Sequence, residues 1–166
     1  MATYNLIETA TVGSGGAATI VFSSIPATYT DLQIVWSVRT DYAGNPSFLV
    51  LPNGSTSNLS SRILYGSGAA AASYTDTSGE VGVTQGTTTT ASVFTSGSMC
   101  IPNYTSSTYK SGSGDSVSEN NATTAYQYLV AFLWSNTAAI TSLTLDSGLG
   151  SFVEFSSASL YGISNS

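Results

Sequence analysis

The stretch Leu32-Gln33-Ile34-Val35-Trp36-Ser37-Val38-Arg39 decides the fold. Successive side chains of an extended chain point to opposite sides. Leu32, Ile34, Trp36 and Val38 therefore share one face, and Gln33, Val35, Ser37 and Arg39 share the other. A large apolar row backed by a more polar one predicts a half-buried antiparallel strand.

The same alternation extends outward in both directions. On the N-terminal side, Tyr4 to Thr9 reads as an opening strand, Gly13-Ser14-Gly15-Gly16 as a turn, and Ala18 to Phe22 as a second strand. These two are expected to pair as a hairpin with a longer loop. On the C-terminal side, Asn45-Pro46 precedes the strand Phe48 to Leu51, and Asn53-Gly54 is the strongest two-residue turn signal in the chain. Short strands are expected at Arg62 to Tyr65, Glu80 to Val83 and Gly97 to Pro102. Ala69 to Ala72 is too closely flanked by Gly66, Gly68 and Ser73 for a stable helix.

Gly112 to Thr124 reads as a polar loop, with Asp115 to Ser118 the part of it open to pairing. Tyr126 to Trp134 is apolar at nearly every position, which predicts a central strand covered on both sides. Ile140 to Leu145 and Phe152 to Phe155 read as a hairpin, and Ala158 to Ile163 as the closing strand. About ten strands with turn signals every 8–12 residues predict an all-β, antiparallel β-sandwich. Opening and closing strands near the two termini suit a jelly roll. The expectation is one domain over 1–166, with long polar loops within 54–95 and 103–124.

Composition narrows the function. Only 7% of the 166 residues are charged, and Ser and Thr make up about a third of the chain. The net charge is −6, and the cations are Arg39, Arg62 and Lys110. Three cations cannot supply the phosphate contacts of a nucleic-acid binder or a polybasic membrane patch. No stretch approaches the ~20 apolar residues of a membrane-spanning helix. Met1-Ala2-Thr3-Tyr4 has neither the basic start nor the apolar core of a signal peptide, so synthesis in a cytoplasm is expected. The single cysteine, Cys100, lies in the apolar run Ser98-Met99-Cys100-Ile101 and is expected to be a small buried hydrophobe.

The chain has no histidine, which removes Ser-His-Asp and Cys-His triads and histidine metal sites. With one cysteine there is no zinc cluster, and no cofactor is expected. Asp41, Asp76, Glu80, Asp115, Glu119, Asp146 and Glu154 could supply a carboxylate pair for glycoside hydrolysis. Most lie in or beside turn signals, where a solvated carboxylate is the expectation. The Asn-x-Ser/Thr triplets at Asn53, Asn58, Asn103 and Asn121 are expected by chance in so hydroxyl-rich a chain. Tyr42, Tyr65, Tyr74, Tyr104 and Tyr109 lie in polar, Gly/Ser-rich surroundings. Exposed tyrosines stack on sugars or anchor interfaces, and these five are the candidate interface or glycan-contact residues. For each alone, covering the ends of the sandwich is the plainer role.

Several segments carry a resemblance. They are Leu6-Ile7-Glu8-Thr9 with Val12 to Ala17; Phe22-Ser23-Ser24-Ile25-Pro26-Ala27-Thr28-Tyr29-Thr30-Asp31-Leu32; Glu119-Asn120-Asn121-Ala122 with Leu133-Trp134-Ser135-Asn136-Thr137-Ala138-Ala139-Ile140-Thr141; and the ending Ala158-Ser159-Leu160-Tyr161-Gly162-Ile163. Together they resemble a family of small virion structural proteins of tailed phages of aquatic bacteria, including cyanophages. The resemblance implies a jelly-roll-like capsid decoration or cement protein, often a homotrimer, located in the virion and bound to the major capsid protein or other virion proteins. It implies no catalytic residues. The alternative it leaves open is a tail-fibre or baseplate module that binds a receptor glycan.

Overall fold

The computed structural model describes residues 2–122 and 125–164. Twelve strands are present: β1 (Thr3–Thr11), β2 (Thr19–Phe22), β3 (Asp31–Val38), β4 (Ser47–Pro52), β5 (Leu59–Gly66), β6 (Ala71–Asp76), β7 (Glu80–Val83), β8 (Thr95–Pro102), β9 (Lys110–Ser118), β10 (Tyr126–Trp134), β11 (Leu143–Asp146) and β12 (Ser157–Ser164). They form an eight-stranded sheet, in the order β1-β12-β3-β8-β9-β10-β5-β6, and a four-stranded sheet, in the order β2-β11-β4-β7. Every strand pairing is antiparallel, so the all-β sandwich stands as expected.

The core lies between the sheets. Leu32, Ile34, Trp36 and Val38 of β3 are all buried, as their alternation requires. They pack with Met99 and Ile101 of β8 and with Val130, Phe132 and Trp134 of β10, against Phe22, Phe48, Val50, Leu143 and Leu145 of the smaller sheet. Trp36 and Phe48 meet across the layers with ring centroids 5.0 Å apart. Each fully buried side chain of this size stabilises the fold by about 1.5–3 kcal/mol relative to exposure.

Two expected hairpins do not form. β1 pairs with β12, and β2 with β11, so the first two strands lie in different sheets. Phe152 bridges Ala17 and Thr40 rather than β11. In both cases a connection long enough to cross the sandwich lets each strand find a distant partner that covers its apolar face.

The polar segments are also more ordered than their composition predicts. The range 54–95 holds β5, β6 and β7, and 103–124 holds β9. Thr123 and Thr124, the end of the expected loop, fall outside the described residues. β9 is a strand because its small inner positions fit beneath large neighbours. Gly112 lies against Met99 and Ile101, and Gly114 against Met99.

β10 has the boundaries expected of it but is covered on one side only. Tyr128, Val130, Phe132 and Trp134 are buried, while Leu129 is 52% exposed. The reason is architectural: the smaller sheet covers one face of the larger and nothing among the described residues covers the other.

The four triplet asparagines have a structural role. Asn53, Asn58, Asn103 and Asn121 all adopt positive φ, a turn conformation that asparagine tolerates better than most residues. Asn53 also joins two loops: its Oδ1 accepts from the Thr141 and Ser142 amides, and its Nδ2 donates to the Ala139 carbonyl.

Candidate functional site

Adjacent strands β6, β5 and β10 place Tyr74, Tyr65, Tyr126 and Tyr128 together on the inner side of the large sheet. Tyr65 stacks on Tyr128 at 5.6 Å and meets Tyr74 edge-on at 5.8 Å. Tyr126 lies 6.2 Å from Tyr65 and 5.9 Å from Tyr128. Of the five tyrosines singled out from sequence, only Tyr65 and Tyr74 come together. Tyr126 and Tyr128 belong with them, and their i, i+2 spacing on one strand was the available signal.

Glu80, at the start of β7, is buried beside this wall. Its Oε1 accepts from the Tyr74 hydroxyl, and its Oε2 accepts from Ser47 Oγ at 2.9 Å. Burial raises the Glu80 pKa; the two hydrogen bonds oppose the rise and the nearby Asp76 adds to it. Tyr74 and Tyr128 are raised as well, by burial first and by the Glu80 carboxylate next. Asp76 differs. Burial pushes it up, but hydrogen bonds from the Glu80 amide and from Ser78 outweigh burial and leave it low. The two carboxyls thus have opposed environments, a pattern that acid–base pairs share. Here, however, both Glu80 oxygens are occupied, and Asp76 Oδ1 accepts from the Ser78 and Glu80 amides of its own turn. The arrangement is a clasp joining β6 to the smaller sheet.

Tyr104 requires a correction as a candidate contact residue. It is fully buried, and its hydroxyl donates to the Pro26 carbonyl. Its ring closes one end of the core, which is what an aromatic body with a polar tip does best. Tyr42 and Tyr109 are exposed. Tyr42 follows β3 and Tyr109 precedes β9, and the strand register puts these loops at opposite ends of the sandwich. They cannot share one binding site.

The outer face of the large sheet carries a shallow groove of about 700 Å³ lined by β6, β5, β10 and β9. Leu64 and Leu129, directly opposed across β5 and β10, form its apolar centre, and both are about half exposed. Arg62 and Ala131 are the next opposed pair. Ser73, Thr75 and Ser113 complete the floor.

The other two cations serve loops. Arg39 donates to the carbonyls of Thr90, Val93 and Gly86 at 2.9, 2.7 and 2.6 Å. Lys110 is buried and donates to the carbonyls of Ser106, Thr108 and Asn136 at 2.8, 2.6 and 3.4 Å. Desolvation lowers its pKa. Several candidate carboxylates serve loops as well: Glu119 and Asp146 cap their own turns by accepting from the Asn121 and Gly148 amides, and Asp41 joins two loops by accepting from the Ser151 amide. Asp115 accepts from Ser98 Oγ across β8 and β9. Cys100 is only partly buried, because it sits on the outer face between Gln33 and Ser113 while Met99 and Ile101 point inward. Burial still raises its pKa and keeps it a thiol at neutral pH. Among the described residues, no three of His, Cys, Asp and Glu converge in a way that could hold a metal ion.

No protein-family model, curated protein or solved structure matches the chain.

Proposed function

We propose that this chain is a non-enzymatic structural protein of a tailed-phage particle, a decoration protein that binds the outer surface of the head and stiffens it. The observation that carries the reading is the outer face of the large sheet. It spans eight strands, exposes Val35, Leu64, Val117 and Leu129 among serines, and carries few charges. Eight strands at ~4.8 Å spacing and ~25 Å length offer about 1,000 Å², more than a standard interface needs from one partner. Hydroxyls and apolar side chains adhere by shape and hydrogen bonding without strong dependence on salt.

Connectivity supports the same reading. With hairpins β5–β6 and β9–β10 set aside, the remaining strands run β1-β12-β3-β8 and β2-β11-β4-β7. That order supports the jelly-roll reading, an architecture that viral capsid and lectin domains use. Arg39 and Lys110 bind loops at opposite ends of the sandwich, which holds those loops in place before any partner arrives.

Immunogold microscopy and gel densitometry of purified particles test the proposal. Labelling over the head with hundreds of copies is expected. A handful of copies confined to the tail would overturn it and favour a receptor-binding module. In that case Tyr42→Ala or Tyr109→Ala would abolish binding on a glycan array.

A further inference from the structure

We propose that β6 is a self-association edge, through which two copies of this chain join their large sheets into one. An open strand edge presents unpaired amides and carbonyls, and proteins blunt such edges with bulges, charges, prolines, short strands or covering elements. Among the described residues the two sheets have four edges, and three are managed. β1 is broken by a bulge between Leu6 and Glu8, which also places a charge there. β2 is four residues long. β7 is covered: Ser116 and Ser118 of β9 donate to the carbonyls of Val81 and Val83, and Gly82 lets the two backbones approach.

Apart from Asp76 at its last position, β6 has none of these devices among the described residues. Its six residues, Ala71-Ala72-Ser73-Tyr74-Thr75-Asp76, contain no Lys, Arg or Pro, and every one before Asp76 is exposed. Its register with β5 is unbroken from Ser61↔Asp76 to Gly66↔Ala71. The strand is also held firmly from behind. Tyr74 is bonded to Glu80, and Asp76 caps the following turn. A rigid, regular edge whose one charge, Asp76, lies at its very end and is engaged in the following turn is preorganised for pairing.

The occupant we assign is a second β6, on grounds of self-complementarity. A twofold axis normal to the sheet makes the two strands antiparallel and keeps their outer faces on one side. Centred on Tyr74, the pairing sets Tyr74 beside its copy, Ser73 opposite Thr75, and Ala72 opposite Asp76. Hydroxyls then meet hydroxyls, aromatic rings meet, and no like charges oppose, each of which favours a cross-strand pair. About 20 Å of edge is a small interface, so association is expected in the range of roughly 10–100 μM. Two chains of net charge −6 repel, so added salt should strengthen it.

Sedimentation of the full chain from about 5 μM to about 500 μM, bracketing that range, tests the proposal. A monomer–dimer equilibrium is expected. Ser73→Lys with Thr75→Lys should weaken it tenfold or more, because position 73 of each copy faces position 75 of the other and like charges then meet. Ser73→Asp with Thr75→Asp should do the same. An equimolar mixture of the two variants should recover a mixed dimer. All four substitutions lie on the exposed outer face, and an unchanged circular dichroism spectrum establishes that the fold survives. A wild-type monomer at every concentration would overturn the proposal. So would a dimer or trimer that the lysine variant leaves intact.

Discussion

The Tyr74 hydroxyl donates to the Glu80 carboxylate, and this bond ties the edge strand of the large sheet to the edge strand of the small one. Glu80 also receives Ser47 Oγ from β4. One buried carboxylate therefore joins three strands and both layers. Replacing it with alanine leaves two hydroxyls without their acceptor and should cost about 1–3 kcal/mol. Glu80→Gln keeps the shape and an acceptor, and should cost less than a third as much. Urea denaturation of the two variants measures the difference.

The same residue sets a pH dependence. Burial raises the Glu80 pKa above its ordinary 4.5. Below pH 4.5 the group is protonated in both folded and unfolded chains, and its favourable contribution is complete. As pH rises through the native value, the fold must hold a buried charge and that contribution is lost. Asp76 works the other way. Its depressed pKa contributes stability above 3.8, and that is lost as pH falls through the native value. Wild type should therefore lose stability relative to Glu80→Gln as pH rises above 4.5, with a plateau once Glu80 is ionised. A constant difference between the two proteins from pH 4 to pH 8 would contradict the assignment.

Arg39 holds the segment after β7 through three carbonyls. Arg39→Met removes all three bonds and should raise amide exchange in residues 84–94 about tenfold or more, with little change in β10. Lys110→Met removes the corresponding clasp at the other end, between the loop before β9 and the loop after β10. Charge-assisted hydrogen bonds give up about 1.5–3 kcal/mol when lost, part of which the relieved desolvation of the ammonium offsets. A net loss near 1 kcal/mol is expected by thermal unfolding.

Gly97 is required by close approach. A Cβ there would lie 2.4 Å from the Asp115 carbonyl and 2.6 Å from the Trp36 ring. Gly97→Ala should cost about 2–3 kcal/mol by overpacking, a fall in Tm of roughly 5–10 °C for a chain of this length. Gly13, by contrast, has open space around its Cβ direction. Gly13→Ala should be neutral or stabilising by up to about 1 kcal/mol. Parallel calorimetry of both variants separates packing from backbone entropy.

What could be read directly from the residues was local. The alternation of β3 gave its buried face correctly at Leu32, Ile34, Trp36 and Val38. β7 and β10 have the bounds that their composition indicated. Side-chain period and turn chemistry are properties of neighbouring residues, so they need no knowledge of the rest of the chain. Tyr65 and Tyr74 were visible as aromatics in polar surroundings, and nothing in that setting distinguished them from Tyr104, whose ring is buried.

The amino-acid sequence by itself determined the class of fold and the side chains available for chemistry: half-apolar strands, no histidine, one cysteine and three cations. Only the tertiary structure decided which strand lies beside which. Backbone hydrogen bonds are the same for every residue, so β1 could choose β12 over β2 only through the shape of the whole core. The same assembly made a strand of the glycines and serines of β9 and left one face of β10 in solvent. It also joined Glu80 to the tyrosines. Each outcome depends on what two sheets cover when they meet, a quantity that no single segment carries.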